Sequence, residues 1–514
     1  MSKFSRVSAS TLTESRLDAN YYAKRYLDNE HKLASCGILR EKVGTISELC
    51  NCGATPVDVS YSGSGAGLIR TSDVRPDIFK GDGVLRTSDI QIKDLRQSVI
   101  ARPGDLLYTM SGTVGYACVM PEDGEPMSFS NTIARVRFPS SSQNDARYVA
   151  AFFNSRFGYE QSLRLVSGGI QGHVMPNPFK ELLVVLPNGG AQRYIGDKVR
   201  QAERLRAWAK TIEGAVNRFH AALVPEQKSL DFSRRVRIVS QDRMTERLDA
   251  HFYPAVVDEY LRSHRGKFKK LGALCASVFN GQTQPEASEG GIAKQVTVAN
   301  LSASFLVGVP REVDVPATKT KYLERHDVLI CNAAHNKSYI GRDLTYVHSD
   351  AALLPSTEVM TIRVDRSQVP ASYVRSYLSS QLGFVQIQST IRGITAHSYP
   401  GDVRQLEIYV PDVRAEQRQD WFACDEMLAM AGAAFETATA LTGAAKLFVE
   451  ALIEGQVTEA DLIAAQQALS SGNDQLDRAL LARLKVDGVY GSEGDPLFPD
   501  LDQVYGLSAQ AADA

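Results

Sequence analysis

A chain of 514 residues exceeds the size at which one hydrophobic core keeps growing, so two or more domains are expected. Its 44% hydrophobic and 23% charged residues are those of a globular protein and exclude a disordered or fibrous one. A formal charge of −2 excludes a surface that is basic all over, so any grip on nucleic acid has to come from a local patch.

Taken in chain order, the N-terminus shows no apolar core of a signal peptide, and no stretch approaches the roughly 18 apolar residues of a membrane span. The expectation is a soluble cytoplasmic protein. The seven cysteines are odd in number and never spaced as CxxC, which points to reduced thiols rather than a disulfide scaffold or a zinc site.

Residues 1–190 read as a strand-rich module. LLYTM, YACVM, TIARVRF and LLVVLP are short, β-branched or aromatic runs bounded by Gly, Pro, Asn or Asp. The segment DARYVAAFFNSRFGYEQSLRL reads as one helix. Residues 191–232 change to a helical period. Ile195, Val199, Ala202, Leu205, Ala209, Ile212, Val216, Phe219 and Leu223 recur at three- and four-residue steps, and Pro225 ends the run. Residues 233–413 form a second strand-rich module with DVLIC, VMTIRV and LEIYVP, and again one helix in PASYVRSYLSSQLGFVQIQST. Residues 414–455 repeat the helical stripe through Leu428, Ala431, Phe435, Ala438, Leu441, Ala445, Phe448 and Leu452 up to Gly455. Two such stripes bury themselves most simply against each other, as an antiparallel coiled coil. Residues 456–514 predict a short helical extension and an acidic tail. The expected fold class is α+β: two tandem modules separated by long helices.

The modules are copies. RLDA begins at Arg16 and again at Arg247; Val43-Gly44 and Gly53 answer Leu271-Gly272 and Gly281; Asp105 answers Asp327; Asn154-Ser-Arg-Phe-Gly158 answers Ser379-Ser-Gln-Leu-Gly383; and Gly172-His173 answers Ala396-His397, all in the same order. No catalytic constellation accompanies the repeat. Ser62-Gly-Ser-Gly-Ala-Gly67 lacks the lysine and Ser/Thr of a P-loop, and Asn177-Pro178-Phe179 lacks one proline of the signature with which amino-methyltransferases hold a flipped base. His173 and His397 have no nucleophile or acid that repeats beside them.

What repeats is polar loop chemistry, of the residue types that bond phosphates and base edges. The candidate DNA contacts in the first module are Arg70, Thr71, Ser72, Ser111, Thr113, Ser130, Asn131, Gln171 and His173. In the second they are Asn332, Asn336, Lys337, Ser356, Arg392, Thr395 and His397. Two reading heads with diverged loops on a rigid helical spacer make a ruler suited to a periodic partner such as DNA.

Up to about Gly455 the chain resembles the specificity subunits of type I restriction-modification systems. The resemblance is carried by Gly44 and Ile46, Leu68-Ile-Arg-Thr-Ser-Asp73, Pro103-Gly-Asp-Leu-Leu107 followed by Ser111-Gly112, the Ser-Gly-Gly stretch at Ser167, Leu186-Pro187 before Gln192, and Lys446 to Gly455. It implies a non-catalytic subunit whose two target-recognition domains each read half of a split sequence in double-stranded DNA. It implies that the paired helices set the gap and bind two DNA methyltransferase subunits, with or without ATP-dependent restriction subunits. S-adenosylmethionine is then held by those partners, and this chain binds no cofactor or metal. The second module departs from the pattern, with Arg325-His326-Asp327 in place of Pro-Gly-Asp and Asn332 to Asn336 in place of Ser111 to Gly115. Three other readings remain open: a subunit of a methylation-only or other phage-defence complex, a protein-protein scaffold, and a self-sufficient methyltransferase.

Overall fold

The computed structural model describes the chain apart from residues 1–6, 9–11, 14–15, 56–59, 62, 89, 168–171, 226–238, 240, 242–243, 265, 288–292, 315–320, 487, 489 and 492–493. The chain is α+β and forms two compact units, one of residues 1–205 and 437–514, the other of residues 206–436. The division falls inside both long helices, Gly189–Leu223 and Ala415–Ile453, rather than at their ends. Among the described residues no helix is long and apolar enough to cross a membrane.

Within the first unit four antiparallel strands lie in the order Leu49–Cys52, Ile133–Arg137, Leu106–Thr109, Ala117–Val119. A second sheet orders Leu85–Arg86, Gly67–Ile69, Met127–Phe129 and Ile100–Ala101, with a parallel pair at its centre. Ile69, Leu107, Cys118, Met127, Phe129 and Ile133 fill the core of this module. The second unit repeats the plan: Cys275–Asn280, Val359–Val364, Val328–Cys331 and Leu344–Tyr346 in one sheet, and Arg311–Val313, Ala293–Val296 and Leu353–Pro355 in the other, again with one parallel pair. Val296, Leu329, Leu353 and Val359 take the matching core positions. Alternation along the strands explains the pattern, since successive side chains point to opposite faces.

The sequence echoes have local physical causes. Arg16 donates to the Leu165 and Val166 carbonyls (3.3 and 3.2 Å) and to Asp18 (2.8 Å), and Arg247 donates to the Thr390 carbonyl (2.9 Å) and to Asp249 (2.8 Å). The hydroxyls of Tyr22 and Tyr253 donate back to the carbonyls of Arg16 and Arg247. RLDA is therefore a clasp that pins the entry of each module to the loop after its helices. Asp105 and Asp327 accept paired bonds from Arg137 and Arg363 (2.6 to 2.9 Å). The turn before each aspartate is left-handed, at Gly104 (φ 82°) in one copy and His326 (φ 75°) in the other, so the departure from Pro-Gly-Asp keeps the backbone shape.

One expectation is corrected. The single helix expected in each module is two helices of nine residues, Ala146–Asn154 with Arg156–Arg164 and Ala371–Ser379 with Gln381–Ser389. Ser155 and Ser380 are extended (ψ 161° in both) and cap the second helix by accepting from the Gly158 and Gly383 N–H groups. A serine in mid-run offers the backbone this alternative to continuing the helix.

The helix stripes are buried as their period requires. In the first unit Ile195, Val199, Ala202 and Leu205 are covered, as are Leu441, Ala445, Phe448 and Leu452, and the Tyr194 and Phe448 rings meet edge to face at 5.4 Å. In the second unit Ile212, Val216, Leu428 and Ala431 are covered, and Tyr373 is flanked by the rings of His220 (5.5 Å) and Trp421 (5.5 Å). Both ring nitrogens of buried His220 lack hydrogen-bond partners. Burial pushes its pKa down to about 4, with the nearby Arg375 charge acting the same way and Asp425 opposing.

Because the folded value lies below the ordinary 6.5, the unfolded chain binds this proton first. The stabilisation is complete above about pH 6.5 and is lost as the pH falls toward 4, by up to about 3 kcal/mol. Urea unfolding of the second unit is expected to weaken between pH 7 and 5, and His220→Phe to flatten that slope. An unchanged slope in the variant would assign the pH dependence to other groups.

Candidate nucleic-acid interface

The loops after equivalent strands converge at one end of each module. In the first, Ser130 N–H donates to the Ile69 carbonyl (2.9 Å), which seats the 130–132 turn against Arg70-Thr71-Ser72. The Thr71 hydroxyl reaches the Ser111 carbonyl (3.3 Å) and the Thr132 hydroxyl (3.0 Å). Ser111 bridges to His173, and Ser167 and His173 exchange backbone bonds (2.9 and 3.0 Å). Thr55 donates to the Asn131 side-chain oxygen (3.0 Å). Thr71, Ser111, Ser130, Asn131 and His173 are thus brought together, with Ser72 and Thr113 exposed beside them. Arg70 is half-exposed, its Nε 3.6 Å from Asp73.

The second module assembles the same corner from different side chains. Ala333–Ala334 pairs with Ala396–His397, and Arg392 and His397 exchange backbone bonds (2.8 and 3.1 Å). Ser398 N–H donates to the Asn332 carbonyl (2.8 Å), as Val174 N–H does to the Met110 carbonyl (2.8 Å) in the first copy. The His397 Nδ1 lies 2.7 Å from the Thr395 carbonyl. A carbonyl only accepts, so Nδ1 carries a proton and donates to it. Arg392 is bound to Asp402 through Nε (2.7 Å) and Nη2, and that hydrogen bonding raises its pKa. Asn336 caps the short helix Lys337–Tyr339 through Ser338 N–H (3.0 Å) while Lys337 is exposed.

Three sequence candidates are placed inside the protein. Ser130, Ser356 and Asn332 are 5%, 2% and 3% exposed. They brace the corner: Ser130 bonds Thr132 (2.6 Å), Ser356 bonds Glu358 (3.2 Å) and Asn332 Nδ2 donates to the Thr357 carbonyl (3.2 Å). Gln171 lies outside the described residues. Sequence reasoning passed over Thr132, Thr357 and Thr283, the last two hydroxyl to hydroxyl at 2.9 Å. It also passed over Ile394, an apolar side chain fully exposed at the tip of the Arg392–His397 turn. Thr132 and Thr357 stand within the equivalent strings SFSNT and LPSTE, so their place in the repeat was the available signal.

Among the described residues no group of three His, Cys, Asp or Glu side chains is placed to hold a metal ion. The arrangement offers hydroxyls, amides, an arginine from each module and one lysine at exposed corners, which is chemistry for hydrogen bonding to a polar polymer.

No protein-family model matches the chain, and no curated protein does. Solved structures to which it is similar include the following three. The S subunit of a type I restriction-modification system from M. genitalium is 10% identical over 84% of this chain and 96% of that one, with a TM-score of 0.39. A structure described under the complex assembly and conformational transition of the type I R-M system is 15% identical over 82% and 98%, TM-score 0.27. The HsdS subunit from Thermoanaerobacter tengcongensis is 17% identical over 86% and 96%, TM-score 0.24.

Proposed function

We propose that this chain is the sequence-specific DNA-recognition subunit of a methylation or restriction-modification complex, each module reading one half of a bipartite target. The observation that carries the reading is the repeat itself. One two-sheet scaffold occurs twice, and at the same corner its frame is kept while its exposed side chains differ. A duplicated scaffold with diverged loops is what two different half-sites require. The long helices, paired antiparallel as a coiled coil, set the gap and carry two methyltransferase subunits, which hold S-adenosylmethionine; this chain performs no chemistry.

The test exchanges residues 20–187 for the same module of a relative and maps methylated motifs by sequencing. One half of the recognised motif is expected to change and the other to stay. Alanine at Asn131 or Arg392 is expected to relax one position by about 1–3 kcal/mol if the side chain reads a base, or to weaken all sequences and lower the salt slope by about one if it holds a phosphate. Both halves changing together would remove the independent reading heads. DNA affinity insensitive to salt would favour the protein-protein scaffold instead.

A further inference from the structure

The first module contains a second polar feature, away from the reading loops. A cleft of about 760 Å³ opens beside the far end of the strand Ile133–Arg137 and is lined by Arg102, Arg135, Arg137 and Lys180, with Asn51 and Ser98. That volume lies within the roughly 300–1,000 Å³ of ligand sites. Arg135 is 1% exposed, yet its guanidinium meets only neutral groups: Nη1 donates to the Ile100 carbonyl, Nη2 to Asn51 Oδ1 (2.6 Å) and the Ser98 carbonyl (3.4 Å), and Nε has no partner. The nearby Asp105 is already bound to Arg137 by two bonds of 2.6 Å. Arg102 is exposed and held by neutral Gln97 (2.7 Å). Glu48 is the other carboxylate at the cleft, so four cations share two carboxylates.

A buried charge without a counter-ion is costly, and proteins pair such groups. Desolvation accordingly lowers the Arg135 pKa, with Asp105 opposing. The second module does not repeat the feature. Its register places Thr361 and Phe279 where the first has Arg135 and Asn51, so the scaffold does not need an arginine there.

We infer that this cleft is an oxyanion site that takes a phosphate or phosphodiester group, with Arg135 at its floor and Arg102 and Lys180 at its mouth. A planar guanidinium without a carboxylate partner suits a tetrahedral oxyanion, and lysine adds a movable point charge. The group belongs either to a DNA backbone or to a free phosphate compound, and the inference stands whether or not the modules read DNA sequence.

The experiment compares the full chain with an Arg102→Ala/Lys180→Ala double variant and with Arg135→Met, each checked for native circular dichroism. In the first arm, inorganic phosphate is titrated against sodium chloride of equal ionic strength. A saturable rise in Tm is expected for the unmodified chain, with at least a tenfold weaker apparent phosphate affinity in the double variant. In the second arm, DNA binding is measured against salt. If the group is a backbone phosphate, the double variant loses affinity for all sequences alike and its salt slope falls by one to two. If it is a free phosphate compound, DNA binding is unchanged while the phosphate response is lost. Because Arg102 is exposed and Lys180 half-buried, this variant remains informative even if Arg135→Met does not fold. A chain that responds to phosphate no more than to chloride, together with an unchanged DNA salt slope, overturns the inference.

Discussion

Replacing Asp477 by alanine is expected to destabilise the first unit by about 3–5 kcal/mol, the range for removing one partner of a buried ion pair. Asp477 sits in the C-terminal extension and is 1% exposed. One carboxylate oxygen accepts from the Tyr194 hydroxyl and from the Lys198 ammonium, both at 2.6 Å, and the other accepts from the Tyr505 hydroxyl. Lys198 is equally covered, so alanine leaves an ammonium in the interior without its counter-charge and two tyrosine hydroxyls without their acceptor. The double variant Lys198→Met/Asp477→Leu is expected to recover most of the loss, since an apolar pair of similar size replaces a buried ion pair at little cost. Hydrogen exchange over residues 189–205 during urea unfolding localises the effect. A loss below about 1 kcal/mol, or no recovery in the double variant, would show that the pair does not hold the extension to the helix. The extension is bound at further points, Glu459 to the Asn188 N–H (2.7 Å) and Gln466 to Asp197 (3.0 Å). Residues 456–514 therefore belong to the fold of the first unit rather than trailing from it.

Four residues inserted after Thr211 are expected to lengthen the nonspecific gap of the target by one or two base pairs and leave both half-site sequences unchanged. The helix Gly189–Leu223 is continuous, so the insertion adds about 6 Å at 1.5 Å per residue, against about 3.4 Å per base pair. It turns the following residues by about 40°, which keeps the apolar stripe near its face. Two inserted residues turn the stripe by about 200° and carry Ile212 and Val216, both buried, toward water. At about 1.5–3 kcal/mol for each such side chain the expected loss is roughly 3–6 kcal/mol, enough to abolish function. Methylation sequencing reads the gap and thermal unfolding reads the stability. A folded, active four-residue variant with an unaltered gap would move the spacing from the helices to the partner subunits.

The duplication, the strand-rich modules and the helical stripes were legible because they rest on local order and period. Leu107 and Leu329 on their strands, and Val199 and Ala445 on the two long helices, are inward because of spacing alone. The break at Ser155 was not legible, since its neighbours all tolerate a helix and the deciding feature is a side-chain cap. At the candidate interface, adjacent Ser130 and Asn131 could not be told apart. What turns the first inward is the bond of its N–H to Ile69, supplied by a parallel strand some sixty residues earlier in the chain. Arg135 was invisible for the same reason, as were Lys198 and Asp477, whose chemistry lies entirely in a partner distant in sequence.

The left-handed turn before Asp327 carries a further meaning once the two modules are taken as descendants of one copy. A non-glycine residue in that conformation is strained by about 1–2 kcal/mol, and His326 is offset by its Nδ1 contact with the Tyr346 hydroxyl (2.7 Å). The first module has Gly104 and, at the position of Tyr346, Val119. If glycine and valine are ancestral, the two changes were not interchangeable in order. A histidine arriving first would have met the strain with only the exposed Glu426 carboxylate near its Nε2 (3.3 Å), whereas a tyrosine arriving first already finds the Asp425 carbonyl for its hydroxyl at 3.2 Å. Tyrosine before histidine is the downhill path, so His326→Gly restores the intermediate on that path, while Tyr346→Val alone recreates the strained state that the path avoids.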